Sequence, residues 1–467
     1  MRLTDLSETV RTLAANKRFS TIRDLFSTMN AADIAPILSQ QKESDLPLLF
    51  RVLSTETAAE TFVEMNPEEQ EILIRGFSDT ELKAVLSELY LDDAVDIIEE
   101  MPGILVPRIL KAADPESRKL INELLKYPED SAGSIMTPEF VSLSPNMTVE
   151  EAIEEIRRTG LDKETINICY VVRADRTLQG SVSIRRILLS DPDERVADIA
   201  ETNVIACETT DDQETVAKML SKYDLIALPV LDHEKRIVGI VTVDDAIDVL
   251  QEENTEDIEN MAAITPSDRP YLETAVGSIF LHRIPWLLLL MLTSTMTELI
   301  INLFTEKLNI FGAIAGAMLI ACIPMLMDTG GNAGGQSSAT VIRGISLCEI
   351  EFSDFFRVIG KELTVAALSG AALAVINFLK MLLVNVIVYH YAGHDLTVYI
   401  IASITISLAI MLTIVVAKFA GAALPMLAKK IGFDPAVMAA PFITTMIDVA
   451  SLLLLFALAN IILSHIH

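Results

Sequence analysis

The sequence of 467 residues is short of positive charge: 36 Lys and Arg stand against 65 Asp and Glu, a formal net charge of −29. Nucleic-acid binding and docking on anionic lipid both need clustered Lys and Arg, so the acidic part of the chain argues against either partner. Cysteine is scarce as well. Cys169, Cys207, Cys322 and Cys348 show no C-x-x-C spacing, which removes a disulfide framework and a zinc site and fits reducing cytosol and membrane. A Walker loop, a G-x-S-x-G elbow and a His/Cys metal cluster are all missing, which speaks against an enzyme. The opening MRLTDLSETV lacks an apolar run, so no cleaved signal peptide is expected.

Apolar residues, by contrast, make up 51% of the chain and are unevenly placed. Residues 271–467 hold 11 acidic and 9 basic side chains, a net of −2, whereas residues 1–270 hold 54 and 27, a net of −27. A single soluble domain does not look like this, and the length fits about three domains of ~150 residues. Five segments, roughly 284–304, 311–340, 363–390, 397–426 and 435–463, are apolar over the ~20 residues a membrane-spanning helix needs. The second passes from FGAIAGAMLIACIPMLM into the small, polar DTGGNAGGQSSAT, an odd way to finish such a helix. The connections after spans two and four carry Arg343, Arg357, Lys361, Lys429 and Lys430, and those after spans one and three only Lys307. Positive charge stays cytoplasmic, so the N-terminal half is expected in the cytoplasm and the C-terminus outside.

Residues 1–130 show helical periodicity with breaks at Asn66-Pro67, Met101-Pro102-Gly103 and Asp114-Pro115. VLSTETAAETFVEM (52–65) repeats weakly as ELYLDDAVDIIEEM (88–101), an offset of 36 residues that suggests stacked helical pairs in a short solenoid. After DSAGSIMTPEF a second repeat begins: YVVRADRTLQGSVSI (170–184) matches PVLDHEKRIVGIVTV (229–243), with Gly180 aligned to Gly239. Each copy reads as strand, helix, strand, charged turn, strand, helix. With MTPEFVSLSPNMTVEEA and IVGIVTVDDAIDVL, the pair resembles a tandem CBS domain, a regulatory module found in transporters, channels and enzymes alike.

Three motifs carry chemistry. The run VTVDDAIDVLQEENTEDIEN (241–260) holds eight acids and no Lys or Arg, and as a helix it places Asp245, Asp248, Glu252 and Glu256 on one face. Like charges at that spacing repel. Brought against similar helices they would repel by about 4 kcal/mol per pair at ~4 Å and an effective dielectric of ~20, before salt screening. A divalent cation relieves this, and hard oxygen ligands favour Mg²⁺ or Ca²⁺. In PMLMDTGGNAGGQSSAT (324–340) the glycines allow close helix approach, and Asn332 and Gln336 supply amides for an ion or its water. Asp448, in the apolar FITTMIDVASLLLLF, costs at least ~2.5 kcal/mol inside a span and is by default functional. Asp434-Pro435 reads first as an N-cap followed by Pro, while Lys380 and Lys418 are expected to snorkel or pair.

Taken in order, a helical N-domain, a CBS pair, an acidic connecting helix and five spans carrying GGNAGGQ and DPAVMAAPFITTMID resemble the MgtE family of magnesium channels or transporters, over essentially the whole chain. The resemblance implies a multidomain protein: an all-α helical-repeat N-domain (1–130), an α/β CBS pair (131–243), an acidic connecting or plug helix (244–270) and a five-helix transmembrane domain (271–467). It implies a homodimer with a central pore for hydrated Mg²⁺. Asp448 matches the family's pore aspartate, Asn332 lies in its pore-lining Gly-Asn motif, and Asp434 matches an acidic position near the cytoplasmic side. The plug helix would close the pore at high cytosolic Mg²⁺, with regulatory Mg²⁺ held by Asp245, Asp248, Glu253, Glu256 and Asp257, by Asp212, Glu214 and Asp224 of the CBS pair, and by Asp92, Asp93 and Asp96 of the N-domain. The family's CBS pair can also bind ATP, for which no residue set stands out here. The competing readings are an ion-coupled secondary carrier of divalent cations and a membrane-anchored CBS sensor that does not conduct; selectivity among Mg²⁺, Mn²⁺, Co²⁺ and Ca²⁺ is left open.

Overall fold

The computed structural model describes residues 3–267, 271–272, 274–308, 313–388, 396–438 and 440–463. Residues 311–312 and 389–390, at the edges of two expected spans, lie outside the described residues. The chain divides into two compact units, 1–251 and 252–467.

The first unit opens with α1 (Leu3–Ala15), α2 (Phe19–Phe26), α3 (Ala31–Ser39), α4 (Leu46–Phe50), α5 (Thr55–Val63), α6 (Pro67–Gly76), α7 (Asp79–Leu86), α8 (Leu91–Glu100), α9 (Val106–Ala112) and α10 (Pro115–Leu124). The Asn-Pro and Asp-Pro breaks are helix starts. Asn66 accepts from Glu69 N at 3.0 Å and Asp114 from Glu116 N at 2.9 Å, each with Pro at the first helical position. Odd helices pack on odd ones, α3 on α5, α5 on α7 and α7 on α9, while α4, α6, α8 and α10 form the second row. The solenoid is therefore present with a different step. The structural repeat is 24 residues, from Thr55 to Asp79 and from Pro67 to Leu91. The 36-residue sequence offset spans three helices and so equates α5 with α8, which lie in different rows.

Each CBS copy has the expected order. The first is β1 (Phe140–Leu143), α11 (Val149–Thr159), β2 (Thr165–Val172), β3 (Leu178–Ser183) and α12 (Ile184–Leu189). After the short α13 (Val196–Ile199) come β4 (Cys207–Glu208), α14 (Gln213–Tyr223), β5 (Ala227–Leu231), β6 (Ile237–Thr242) and α15 (Val243–Met261). In both sheets the first two strands pair in parallel and the last two form an antiparallel hairpin, with Val171 opposite Gly180 and Val230 opposite Gly239. A Cβ on Gly239 would lie 2.9 Å from the Thr137 carbonyl, which is why that position stays bare where Thr137 bridges to Ile240. The last CBS helix and the acidic connector are one element: α15 is unbroken, with Ala246 and Val249 buried against the core of β5 and β6.

The second unit carries α16 (Val276–Leu308), α17 (Ala313–Ser346), α18 (Phe355–Val388), α19 (Leu396–Ile431) and α20 (Ala440–Leu463), in the places of the five expected spans. Among the described residues four of them, α17 being the exception, are long and apolar enough to cross a membrane. The Gly-rich half of α17 remains helical to Ser346 rather than breaking. Its glycines are contact points: a Cβ on Gly330 would meet Thr413 of α19 and Ile447 of α20 at 2.7 and 2.8 Å, and one on Gly331 would meet Thr444 at 2.8 Å. Small residues let spans approach where lipid offers no hydrophobic drive to association.

Candidate functional site

Within the first unit, carboxylates from distant segments converge on the first turn of α15. Asp92, Asp93 and Asp96 lie on α8, Glu139 precedes β1, Glu164 precedes β2, and Asp244 and Asp245 begin α15. Tyr90, at the N-cap of α8, makes no side-chain cap; Glu139 Oε2 accepts from Leu91 N at 3.1 Å and so ties the CBS pair to the N-domain. Asp245 caps its own helix, accepting from Thr242 Oγ1 at 2.5 Å.

Burial and mutual repulsion raise these acids together. Asp92 is held well above the usual carboxylate range by desolvation, then by Asp93 and Asp245. Desolvation and the Asp245 charge push Asp93 up to about 6 and Glu164 up to about 7. Desolvation, then the Asp93 and Asp245 charges, push Asp96 up to about 7, although its side chain still reaches the surface, where water screens it. Asp245 and Asp248 are raised by desolvation too. Asp92 Oδ1 and Glu164 Oε2 are buried without a hydrogen-bond partner among the described residues. An all-oxygen, anionic donor set with orphaned oxygens fits a hard divalent cation. Among the described residues no three His, Cys, Asp or Glu side chains converge tightly enough to ligate a metal directly.

A pH dependence follows. The folded unit keeps protons on Asp93 and Glu164 up to pH 6–7, whereas the unfolded chain releases them at the usual carboxylate values. Stability is therefore full below the unfolded values and falls as pH rises through the folded ones. In chelator, the melting temperature of this unit is expected to drop by about 2–4 °C between about pH 5 and pH 8, from ~1 kcal/mol after screening, and Mg²⁺ should restore it at the alkaline end. Calorimetry of the whole protein in detergent checks this; a melting temperature that rises with pH in chelator contradicts it.

The other acids singled out in the CBS pair have local duties. Asp212 caps α14, accepting from Thr215 N at 3.1 Å; Glu214 pairs with Lys218 one turn on; and Asp224 ends the helix in the left-handed conformation at φ 52°. Glu139 and Glu164, which complete the cluster, carried no sequence signal beyond their charge.

In the second unit, the end of α15 meets the membrane helices. Asp257 accepts from Ser346 Oγ at the end of α17 at 3.2 Å. The buried Asn260 amide donates to Glu256 Oε1 at 3.3 Å and to Asp434 Oδ2 at 3.1 Å. Asp434 does act as a cap, but on the 3₁₀ turn Ala436–Met438, accepting from Ala436 N at 2.8 Å, since α20 begins only at 440. Glu253 is half-buried and Glu256 exposed. Asp448 is half-buried on α20, next to Ile447, which packs on Gly330 and Gly334; Asn332, between those glycines, is exposed. Thr444 and Thr445 donate their hydroxyls to Pro441 O at 2.9 and 3.1 Å. Helix α17 thus presents an amide, and its packed neighbour α20 a carboxylate.

The chain is similar to known proteins along most of its length. Residues 323–458 match the divalent cation transporter family MgtE, residues 29–130 the MgtE intracellular N domain, and residues 132–192 and 196–252 the CBS domain. The chain is 34% identical to the magnesium transporter MgtE of Thermus thermophilus over 95% of each protein. It is 30% identical to that of Bacillus subtilis, over 94% of this chain and 93% of that one. A solved structure titled as the cytosolic domain of the Mg²⁺ channel MgtE in complex with ATP is similar at 34% identity and a TM-score of 0.50, covering 52% of this chain and 99% of that one.

Proposed function

Because the chain belongs to the MgtE family of magnesium transporters, we propose that it is a Mg²⁺-selective channel for uptake across the cell membrane, closed by cytosolic Mg²⁺. As a member of that family it is a multi-pass membrane protein with an intracellular N domain, and not an enzyme. The observation that carries the gating is the cluster around Asp245, built from α8, the two strand entries and α15, with two orphaned carboxylate oxygens. Divalent cation at the cluster supplies counter-charge to acids that crowd one another, Lys163 acting only on Glu139 at its edge. Asp245 and Asp248 begin the helix that also carries Glu253 and Glu256 and whose Asp257 bonds Ser346 of α17, so screening the acids favours a closed arrangement and losing the cation lets repulsion open it.

In the pore, Asp448 from each of two protomers faces the transported Mg²⁺ through water, with Asn332 supplying an amide and Asp434 an acid near the cytoplasmic mouth. Water-mediated contact suits a cation that dehydrates reluctantly. The C-terminus lies outside, following the loop charges. ATP is a second ligand of the CBS pair: Arg185 and Arg186 line a cleft of about 700 Å³ there, and because Asp191, Glu194, Asp198 and Glu201 line it too, a phosphate chain would enter it with its own divalent cation.

Ion flux into proteoliposomes tests the reading, with the cation species and the cytosolic-side Mg²⁺ varied. Mg²⁺ flux that falls as cytosolic-side Mg²⁺ rises is expected. Absence of flux would leave a non-conducting sensor, and a reversal potential set by a second ion would leave a coupled carrier.

A further inference from the structure

Three polar side chains from three spans meet inside the membrane unit. Ser337 of α17 donates to Glu362 Oε2 of α18 at 2.6 Å, and Lys418 Nζ of α19 donates to Ser337 Oγ at 3.2 Å while lying 3.8 Å from Glu362 Oε2. The Lys418 and Glu362 side chains are only 8% and 15% exposed. Lys418 thus pairs rather than snorkels. A buried ion pair is weak as a source of stability, because apolar residues of the same volume do as well or better; its attested use is to specify one arrangement among several.

The surroundings show which arrangement is at stake. One turn before Ser337 is Gly334, and one turn after Lys418 is Gly421, whose added Cβ would collide with the Gly334 carbonyl. On its other side Gly334 faces Ile443 and Ile447 of α20, beside Asp448. Glycine contacts set how close α17 comes to its neighbours, and its buried apolar knobs such as Leu326 and Val341 resist rotation without the directionality that singles out one setting. Hydrogen bonds one turn away supply that directionality.

We propose that Ser337, Glu362 and Lys418 are positioning residues that fix the rotation of α17 against α18 and α19, and with it the placement of Asn332 relative to Asp448. The proposal rests on the reading of Asp448 as the pore carboxylate. Ser337 is the link that matters most, because it is the group through which the α18–α19 ion pair holds α17.

The test uses the full chain in proteoliposomes, measuring Mg²⁺ and Ca²⁺ flux separately. Ser337→Ala keeps the ion pair and removes only the link to α17. Its Mg²⁺ flux is expected to fall about tenfold, the worth of one hydrogen bond, and its Mg²⁺/Ca²⁺ flux ratio to fall with it, beside a small drop in melting temperature from the same lost bond. Ser337→Thr should restore both. The double variant Glu362→Leu/Lys418→Met should reproduce the loss, and adding Ser337→Ala to it should change nothing further. Flux and ratio for Ser337→Ala within about twofold of the parent overturn the proposal. A flux loss with an unchanged ratio and a lowered melting temperature also overturns it, since that marks packing alone. Asp448→Ala in parallel keeps the two readings apart: parent-level flux there sinks the pore assignment, whereas a silent Asp448→Ala beside a normal Ser337→Ala sinks only the triad.

Discussion

Asp448→Ala is expected to abolish Mg²⁺ uptake while the protein still folds and inserts. The two effects have opposite signs for one reason. A carboxylate at mid-span costs at least ~2.5 kcal/mol on insertion, so replacing it with Ala relieves the membrane unit rather than destabilising it. Asp448 sits where α20 crosses the Gly330–Gly334 face of α17, and its Ile447 neighbour, not the carboxylate, makes the packing contact. The ion, by contrast, loses its charged partner. A hydrogen bond to a charged group is worth about 1.5–3 kcal/mol. Losing one from each protomer of the proposed dimer comes to roughly 3–6 kcal/mol, a fall of about 100-fold or more in flux at low Mg²⁺. Growth of a Mg²⁺-requiring strain and flux in proteoliposomes both read it, and full uptake by the variant removes Asp448 from the pore.

Neutralising Asp245, Asp248, Glu253, Glu256 and Asp257 together, as Asn and Gln, is expected to uncouple flux from cytosolic Mg²⁺. A ligand shifts a two-state equilibrium only by its differential affinity for the two states, and moving it from 1:99 to 99:1 needs about 10⁴-fold. Removing the charges that supply that difference should raise the half-inhibitory Mg²⁺ concentration at least ~10-fold. The isosteres spare the fold: the Asn amide at position 245 can still accept from Thr242, and Ala246 and Val249 keep their burial. Closure at an unchanged Mg²⁺ concentration in patch recordings would refute the switch. Single substitutions should shift the response less, because Asp92, Asp93 and Glu164 still offer carboxyl oxygens to a cation around position 245.

Much of this architecture is written in local patterns. Apolar runs of span length and the CBS repeat with its paired Gly180 and Gly239 depend on residues close in sequence, and the structure places a long helix at each run and a hairpin at each glycine. The 36-residue offset misled because short amphipathic helices resemble one another whichever row they occupy. The Gly-rich end of α17 looked unlike a helix because glycine lowers helix propensity, yet neighbouring spans hold it helical.

By itself, the sequence determined the separation of charge from apolar surface, the cost of a lone carboxylate at 448 and the acidic face of α15, since each follows from a sum over adjacent residues. Only the tertiary structure decided which acids stand together. It brought Glu139 and Glu164 to Asp93 and Asp245, and left Asp212, Glu214 and Asp224 to cap and brace their own helix. It also set Ser337, Glu362 and Lys418 side by side from three spans. Repulsion, desolvation and hydrogen bonding act over a few ångströms of space, and no periodicity along the chain encodes a distance between residues dozens of positions apart.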